Sequence, residues 1–408
     1  MKKNYLFGML ALAAMTMVGC SNDEVVNDYS QDNAIQFGTY VGRGAESRAQ
    51  VIDTKVLGEE GFGVFAFFTE NEDFDASKHT PNFMYNQKVT ATGWVQETVD
   101  DNGNVTPGYY TNWTYSPVKY WPNDRDDKVS FFAYAPYATE QNGIEISDAN
   151  AAGVPTVTYG FDVDEEGLIK IPVGENADGM VDLLYLKNES KEIIDLEKPG
   201  INDRILFKFG HALSRVSFAA KVLVDEVGDE ENGAEEGEHE MTNTLAAETE
   251  ITINSVKLTG KFYTGGTMSL LNGTWTNTGG EEEVSFYLDK TNFADEQNVF
   301  SASHMETEEL LNNEDSYIML FPQELNENNK ITVTVDYDVV TTDEKNQSNS
   351  SNVKNVYTSD AFIIDGAFEQ GHAYKLVLHL GMTSVKVSAE LVEWNESEHV
   401  VNVPDNKK

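Results

Sequence analysis

Cysteine and positive charge are both scarce in this 408-residue chain. Cys20 is the single cysteine, so no disulfide can form within the chain and its stability has to come from packing and hydrogen bonds. Only 28 lysines and arginines stand against 69 acidic residues, which gives a net charge of −41. A charge of that sign repels phosphate backbones and anionic lipid head groups. We therefore predict neither nucleic-acid binding nor peripheral binding to a membrane surface.

Catalytic motifs are missing as well. The sequence has no Gly-x-Ser-x-Gly elbow, no His-Glu-x-x-His pair and no phosphate-binding loop, and its seven histidines lack metal-ligand spacing. The glycine pattern Gly61-x-Gly63-x-x-Ala66 leads into an aromatic strand instead of the helix that a dinucleotide site requires. A partial calcium loop that begins at Asp162 has Val173 where a bidentate carboxylate must stand. We predict no catalytic residue, no cofactor and no metal site.

Long apolar runs are absent except near the start of the chain. The run Leu6 to Val18 follows two lysines and is too short to span a bilayer. It ends in Met17-Val18-Gly19-Cys20, which has the order of a relaxed lipobox. We predict that residues 1–19 are a lipoprotein signal peptide, that Cys20 is acylated, with palmitate for example, and that residues 20–33 form a polar tether. The rival interpretation is an ordinary signal peptide cut nearby.

Short segments with alternating apolar residues are abundant, and this is the pattern of half-buried strands. The segment from Ile331 to Val339 alternates without a fault, and no stretch offers a helix of three turns. Many short strands separated by turn signals predict an all-β protein with two antiparallel β-sandwiches in tandem. The charged segment around Pro199-Gly200 is the best boundary, so the predicted sandwiches are residues 34–203 and 204–384.

Residues 34–48 combine a strand pattern with two of the five arginines in the chain. One face of the predicted strand carries Ile35, Phe37, Thr39 and Val41. Arg43 and Arg48 follow at once. Spacing alone leaves two interpretations open. The segment is either an ordinary first strand with a solvated loop, or a strand that a protease removes by cutting after an arginine.

A second unusual segment closes the sequence at residues 385–408. Its alternation changes phase before Trp394, which indicates a bulge or a bend. Its apolar face consists of Val385, Val387, Ala389 and Leu391. We predict that the segment extends beyond the final sandwich strand and is unpaired within its own chain. An apolar strand in that state is a liability until something pairs with it.

Aromatic residues are densest between Tyr109 and Trp121. Because aromatic faces stack on sugar rings, one interpretation is a carbohydrate platform that includes Trp113. The other is a hairpin whose aromatic side chains fill a sandwich core, since an alternating strand with Val129 and Phe131 follows at once. Burial of Trp113 would decide between them.

Several segments together resemble the fimbrillin family, the shaft and accessory subunits of type V pili from Gram-negative anaerobes. The resemblance extends over nearly the whole chain after residue 20. The segments that carry it are Cys20, Ile35-x-Phe37 with Ser47-Arg48-Ala49, Gly61-Phe62-Gly63-Val64-Phe65-Ala66, Tyr120-Trp121-Pro122, Phe131-Phe132-Ala133-Tyr134-Ala135-Pro136, Phe209-Gly210-His211-Ala212-Leu213-Ser214-Arg215-Val216, and Val385-Lys386-Val387 running to Trp394.

The resemblance implies two transthyretin-like sandwiches, export as a lipoprotein to the outer membrane, and trimming at the surface by an arginine-specific protease. On this sequence it implies cleavage after Arg48, with Arg43 as the second candidate. The cut would remove the strand in residues 34–48 together with the lipid anchor. The segment 385–408 of a neighbouring subunit would then fill the vacated groove as a donor strand. The donor side chains would be Val385, Val387, Ala389, Leu391 and Trp394.

The expected function is therefore that of a structural subunit of a cell-surface fimbria. Its partners would be copies of itself or related fimbrial subunits, the protease, and host or bacterial surface ligands in adhesion. The lipid anchor would be its only contact with a membrane. Two alternatives stay open: a surface lipoprotein that binds carbohydrate or a host ligand, and a tip or anchor subunit that does not polymerise. An enzyme is not expected.

Overall fold

The computed structural model describes residues 33–40, 54–96, 98–99, 105–106, 109–171, 180–188, 193–198, 204–222, 249–295, 297–301, 307–313, 316–342, 350–364, 366–380, 385–392 and 398–399. Regular structure in these residues is almost entirely β-strand, with one short helix, α1, at Thr54–Glu60. The all-β prediction is confirmed. No helix among the described residues is long and apolar enough to cross a membrane.

The strands are numbered along the chain in three groups. The first group is β1 Phe37–Tyr40, β2 Phe62–Phe68, β3 Met84–Val95, β4 Thr98–Val99, β5 Val105–Thr106, β6 Tyr109–Thr114, β7 Val129–Ala135, β8 Glu145–Ile146 and β9 Thr156–Gly160. The second is β10 Leu168–Lys170, β11 Leu184–Leu186, β12 Ile205–His211, β13 Ser214–Val222, β14 Thr249–Gly260, β15 Tyr263–Ser269, β16 Trp275–Gly279, β17 Val284–Asp289 and β18 Val299–Phe300. The third is β19 Glu309–Leu310, β20 Ile318–Leu320, β21 Gln323–Glu324, β22 Thr332–Thr342, β23 Ser350–Thr358, β24 Ala367–Phe368, β25 Ala373–Leu380, β26 Val385–Val392 and β27 Glu398–His399.

Four larger sheets organise these strands. The first has seven strands in the order β1-β12-β11-β7-β2-β3-β6. Two six-stranded sheets follow: β10-β17-β14-β22-β23 with β18 beside β14, and β19-β13-β25-β26-β27 with β20 beside β13. The fourth sheet has the order β16-β15-β9-β8, and two small ladders pair β21 with β24 and β4 with β5.

Strand direction departs from the predicted antiparallel arrangement at three pairs. β1 with β12, β10 with β17 and β13 with β25 run parallel, whereas the other strand pairs of the described chain run antiparallel. A parallel pair needs a crossover connection instead of a tight turn. The long stretches of chain between the two members of each pair provide that connection.

The strand pairing also differs from the predicted domain boundary at residue 203. β12 lies in the first sheet between β1 and β11, although it follows that boundary. In the opposite direction β9 and β10 precede the boundary but pair with β15 and β17. Burial gives the physical reason, because Phe207 of β12 packs with N-terminal side chains while Val157 and Ile169 pack with those of the second half.

The buried side chains form two cores that share the first sheet. In β2, Phe62 and Val64 belong to the N-terminal core, whereas Phe65 and Phe67 belong to the C-terminal core. β7 is buried along its whole length. Both faces of β2 are therefore covered.

The first sheet curls around the N-terminal core. The ring of Phe62 in β2 lies 6.3 Å from that of Phe37 in β1 and 5.4 Å from that of Trp113 in β6. The two terminal strands of the sheet thus pack on one central residue. The sheet has the form of an incomplete barrel that is open between β1 and β6.

Candidate functional site

β1 is attached to the sheet through one full strand partner. It pairs in parallel with β12, which places Phe37 opposite Ile205 and Tyr40 opposite Lys208. A parallel ladder is slightly less stable per residue than an antiparallel one. As a terminal strand, β1 can leave the sheet without breaking the pairing of any two other strands.

The other side of β1 is held only at its start in the described chain. Ala34 forms a bridge with Tyr120, and the amide of Ile35 donates to the carbonyl oxygen of Lys119 at 2.9 Å. The hydroxyl of Tyr115 donates to the carbonyl oxygen of Ile35, also at 2.9 Å. Burial raises the pKa of Tyr115 to about 12, so its hydroxyl stays protonated as a donor at neutral pH. From Phe37 onwards no described strand pairs with this side.

Side-chain packing holds β1 and the residue Ile35 before it more firmly in the N-terminal core than the backbone pairing alone would. Ile35 and Phe37 are each only 1% exposed. The ring of Phe37 lies 5.0 Å from that of Phe207 and 5.4 Å from that of Tyr115. The hydroxyl of Thr39 is buried and has no hydrogen-bond partner among the described residues. Ile35 and Phe37 therefore anchor this segment, whereas Thr39 buries a hydroxyl without a described hydrogen-bond partner.

A cavity of about 430 Å³ lies in the opening between β1 and β6. Its walls include Phe37 from β1, Trp113 from β6, and Tyr115 and Tyr120 from the segment after β6. Arg204 lies at its border and donates from Nη1 to the carbonyl oxygen of Thr111 at 3.4 Å. The described residues around the opening of the barrel thus include four aromatic rings and the positively charged Arg204.

The predicted donor segment is paired within its own chain, which corrects the prediction that it extends unpaired beyond the final strand. β26 pairs antiparallel with β25 over eight residues, from Val385 opposite Leu380 to Val392 opposite Ala373. Its predicted apolar face points inward. Val385 and Ala389 are buried, and Val387 and Leu391 pack half-buried against the C-terminal core. Pairing with β25 satisfies the backbone groups along one side of β26. On its other side β26 pairs only with the two residues of β27 in the described chain.

A partly buried ion cluster fastens β26 to β25. Lys375 Nζ of β25 lies 2.9 Å from a carboxylate oxygen of Glu390 in β26 and 2.5 Å from one of Glu308. Burial alone would lower the pKa of Lys375, but the hydrogen bonds to the two carboxylates outweigh it and raise the pKa above its ordinary value. Farther along, Nε2 of His379 lies 2.8 Å from Oγ of Ser388.

The aromatic run contributes to the core, and the carbohydrate-platform interpretation is wrong for Trp113. Trp113 is 9% exposed and Trp121 is 6% exposed, and both belong to the N-terminal core. The ring of Phe62 lies 5.4 Å from that of Trp113, and the ring of Phe131 lies 6.1 Å from that of Trp121. Tyr120, which is 48% exposed, lies at the surface.

A buried carboxylate and a histidine meet where β12 ends. Oδ1 of Asp182 lies 2.8 Å from Nδ1 of His211, and the amide of Ala212 donates to the carbonyl oxygen of Leu183 at 2.7 Å. These bonds attach the end of β12 to the segment before β11. Within the described residues no group of three histidine, cysteine or acidic side chains is placed to hold a metal ion.

Several predicted site residues lie outside the described part of the chain. They are Cys20, Val41, Arg43, Arg48 and Trp394, together with the signal peptide, most of the tether and the segment around Pro199-Gly200. Arg204 and the Lys375 cluster were missed by sequence reasoning. The scarcity of arginine was a signal for Arg204, but the Lys375 cluster depends on tertiary pairing that no local pattern reveals.

Comparison with known proteins identifies the family of the chain. The family model described as fimbrillin-like matches residues 47–394. Fimbrium subunit Fim1C of Phocaeicola vulgatus is 25% identical over 97% of this chain and 98% of its own. The crystal structure of a fimbrial protein from Bacteroides vulgatus has a TM-score of 0.59 and 22% identity, over 89% of this chain and 99% of that chain, so the two share a fold. The match to the family model spans most of the sequence, and the chain belongs to the fimbrillin-like family.

Proposed function

We propose that the protein is a structural subunit of a cell-surface fimbria, exported as a lipoprotein through Cys20, trimmed after Arg48 and polymerised by donor-strand exchange. The observation that carries the proposal is β1, a terminal strand with one full partner, which can be excised without cutting through the sheet. Membership of the fimbrillin-like family supports the same conclusion. In this proposal the two cores correspond to two transthyretin-like sandwiches that exchange strands across the predicted boundary.

Excision of the N-terminal strand would open the N-terminal core. Burial of a large apolar side chain contributes roughly 1.5 to 3 kcal/mol. Loss of Ile35 and Phe37, both 1% exposed, therefore removes on the order of 3 to 6 kcal/mol of apolar burial. The vacated groove would expose rings such as Phe207 and Tyr115 to water. A trimmed subunit is consequently a strong acceptor for an apolar strand.

The donor would be β26 of a neighbouring subunit. β26 lies near the edge of its sheet, with only β27 beyond it in the described chain, and its alternating face already suits a buried groove. Moving β26 from β25 to another subunit exchanges one ladder for another. The net gain in free energy then comes from the apolar burial that is restored when the N-terminal groove is filled again. Each subunit has one groove and one donor, so the assembly grows as an open filament. Such a filament would stand at the cell surface and support adhesion.

Treatment of the precursor with an arginine-specific protease tests this proposal. The precursor carries Cys20→Ser so that it is not acylated. We expect one cut after Arg48, followed by ladders of oligomers that resist mild denaturant. Arg48→Ala should abolish both cut and ladder, and Arg43→Ala should leave them intact. Arg125→Ala is the matched control, because Arg125 lies in an exposed turn outside the segment that the cut would remove.

The second candidate is a tip or anchor subunit that keeps the same fold and does not donate a strand. The complete pairing of β26 with β25 favours it. The same protease experiment separates the two candidates, since a non-donating subunit is trimmed and stays monomeric. A protein that stays monomeric after a clean cut would overturn the polymerisation proposal.

A further inference from the structure

The cavity between β1 and β6 exists while β1 is still in place. Its volume of about 430 Å³ falls within the range of roughly 300 to 1,000 Å³ that is usual for binding pockets. Four aromatic side chains line it, and Tyr120 presents an exposed ring at its edge. The space is large enough to accept an aromatic side chain, and offset or edge-on packing of aromatic rings would add to the burial of area.

The charge around the cavity is unlike that of the rest of the chain. None of the described residues that line it is acidic, although 69 of the 408 residues of the chain are aspartate or glutamate. Arg204 is exposed and is the one charged residue among the described lining residues, and no carboxylate of the described chain forms an ion pair with it. In a protein with a net charge of −41, an opening whose described lining residues include an arginine and no acid favours an acidic ligand.

One segment of the chain matches both requirements. The connection between β26 and β27 has the sequence Glu393-Trp394-Asn395-Glu396-Ser397, in which a tryptophan lies between two glutamates. It directly follows the strand that the proposed function treats as the donor. Arginine forms bidentate pairs with carboxylates, and tryptophan is enriched among the residues that contribute most of the binding energy at protein interfaces.

We infer that the cavity of an untrimmed subunit receives Trp394 of a second copy, with Arg204 facing Glu393 or Glu396 of that copy. The inference rests on the proposed function and adds a docking step that precedes trimming. Docking places the incoming β26 beside β1, so that it can occupy the groove as soon as β1 is released. The N-terminal core is then exposed to water only briefly.

A peptide-binding experiment tests the docking step by itself. The probe is a labelled peptide of residues 391–399, and the protein is the full chain with Arg43→Ala and Arg48→Ala, which cannot be trimmed there. We expect saturable binding by fluorescence anisotropy that weakens as salt increases. Trp394→Ala in the peptide should weaken binding by about tenfold or more. Arg204→Glu should have a similar effect, whereas Arg125→Glu should have none.

Charge reversal checks the orientation of the docked segment. A peptide with Glu393→Lys and Glu396→Lys should bind the Arg204→Glu protein better than the wild-type peptide does. Equal binding of a scrambled peptide would overturn the inference, since any acidic chain would then suffice. Binding that appears only after trimming would also overturn it while leaving donor-strand exchange intact. Trimmed subunits that never assemble would instead refute the proposed function, whatever the peptide does.

Discussion

Replacement of Phe37 by alanine should destabilise the untrimmed protein and have no effect on the trimmed one. Phe37 is 1% exposed, and its ring packs against four others, with centroid distances from 5.0 to 6.3 Å. Removal of a buried phenylalanine side chain costs about 3 to 5 kcal/mol. We therefore expect Phe37→Ala to lower the free energy of unfolding of the precursor by that amount. Urea unfolding followed by circular dichroism measures it.

Trimming turns this variant into a test of strand removal. Once residues up to Arg48 are gone, the wild-type and Phe37→Ala chains are identical, and their unfolding curves should coincide. The control is Phe286→Ala, since Phe286 is fully buried in the C-terminal core and its loss should persist after trimming. A precursor that loses less than about 1 kcal/mol would refute the packing argument. A difference that survives trimming would refute removal of β1.

Four further expectations follow from the same contacts. Thr39→Val should stabilise the precursor by about 1 kcal/mol in urea unfolding, because it removes a buried hydroxyl without a described partner; a loss of stability would contradict this. Lys375→Met should speed hydrogen exchange of the β26 amides, since it leaves two carboxylates without their cation, whereas Lys386→Met, at an exposed position of β26, should not. Burial lowers the pKa of His379 below 6.5, with the same effect from Lys221 and Lys386 and the opposite effect from Glu308 and Glu390. The free energy of unfolding should therefore fall as pH decreases below about 6.5, and His379→Gln should reduce this pH dependence. Trp113→Ala should cost about 3 to 5 kcal/mol of unfolding free energy, and selective loss of glycan binding with an intact fold would contradict its place in the core.

Local alternation was sufficient to predict which faces are buried. The inward positions Ile35 and Phe37 and the inward face of β26 follow from period-two patterns in the sequence. Such patterns report on the face of a strand and contain no information about its partner. The all-β class was therefore accessible from sequence, whereas the sheet order was not.

The errors of sequence reasoning concern contacts between distant parts of the chain. The placement of β12 beside β1, the three parallel pairs and the pairing of β26 with β25 each join segments by tertiary packing. An apolar segment near the end of a sequence looks unpaired until its neighbour is known. The cavity at Arg204 has the same origin, because β1, β6 and the residue before β12 meet there from three separate regions of the sequence.

The N-terminal residue of the assembled subunit tests the central proposal most directly. Oligomers that resist mild denaturant can be isolated from the cell surface, dissociated and sequenced from the N-terminus by mass spectrometry. We expect the sequence to begin at Ala49, with residues 34–48 absent from every assembled subunit. Assembled subunits that begin at Cys20, or that retain Ile35 and Phe37, would contradict the exchange of β1 for a donor strand.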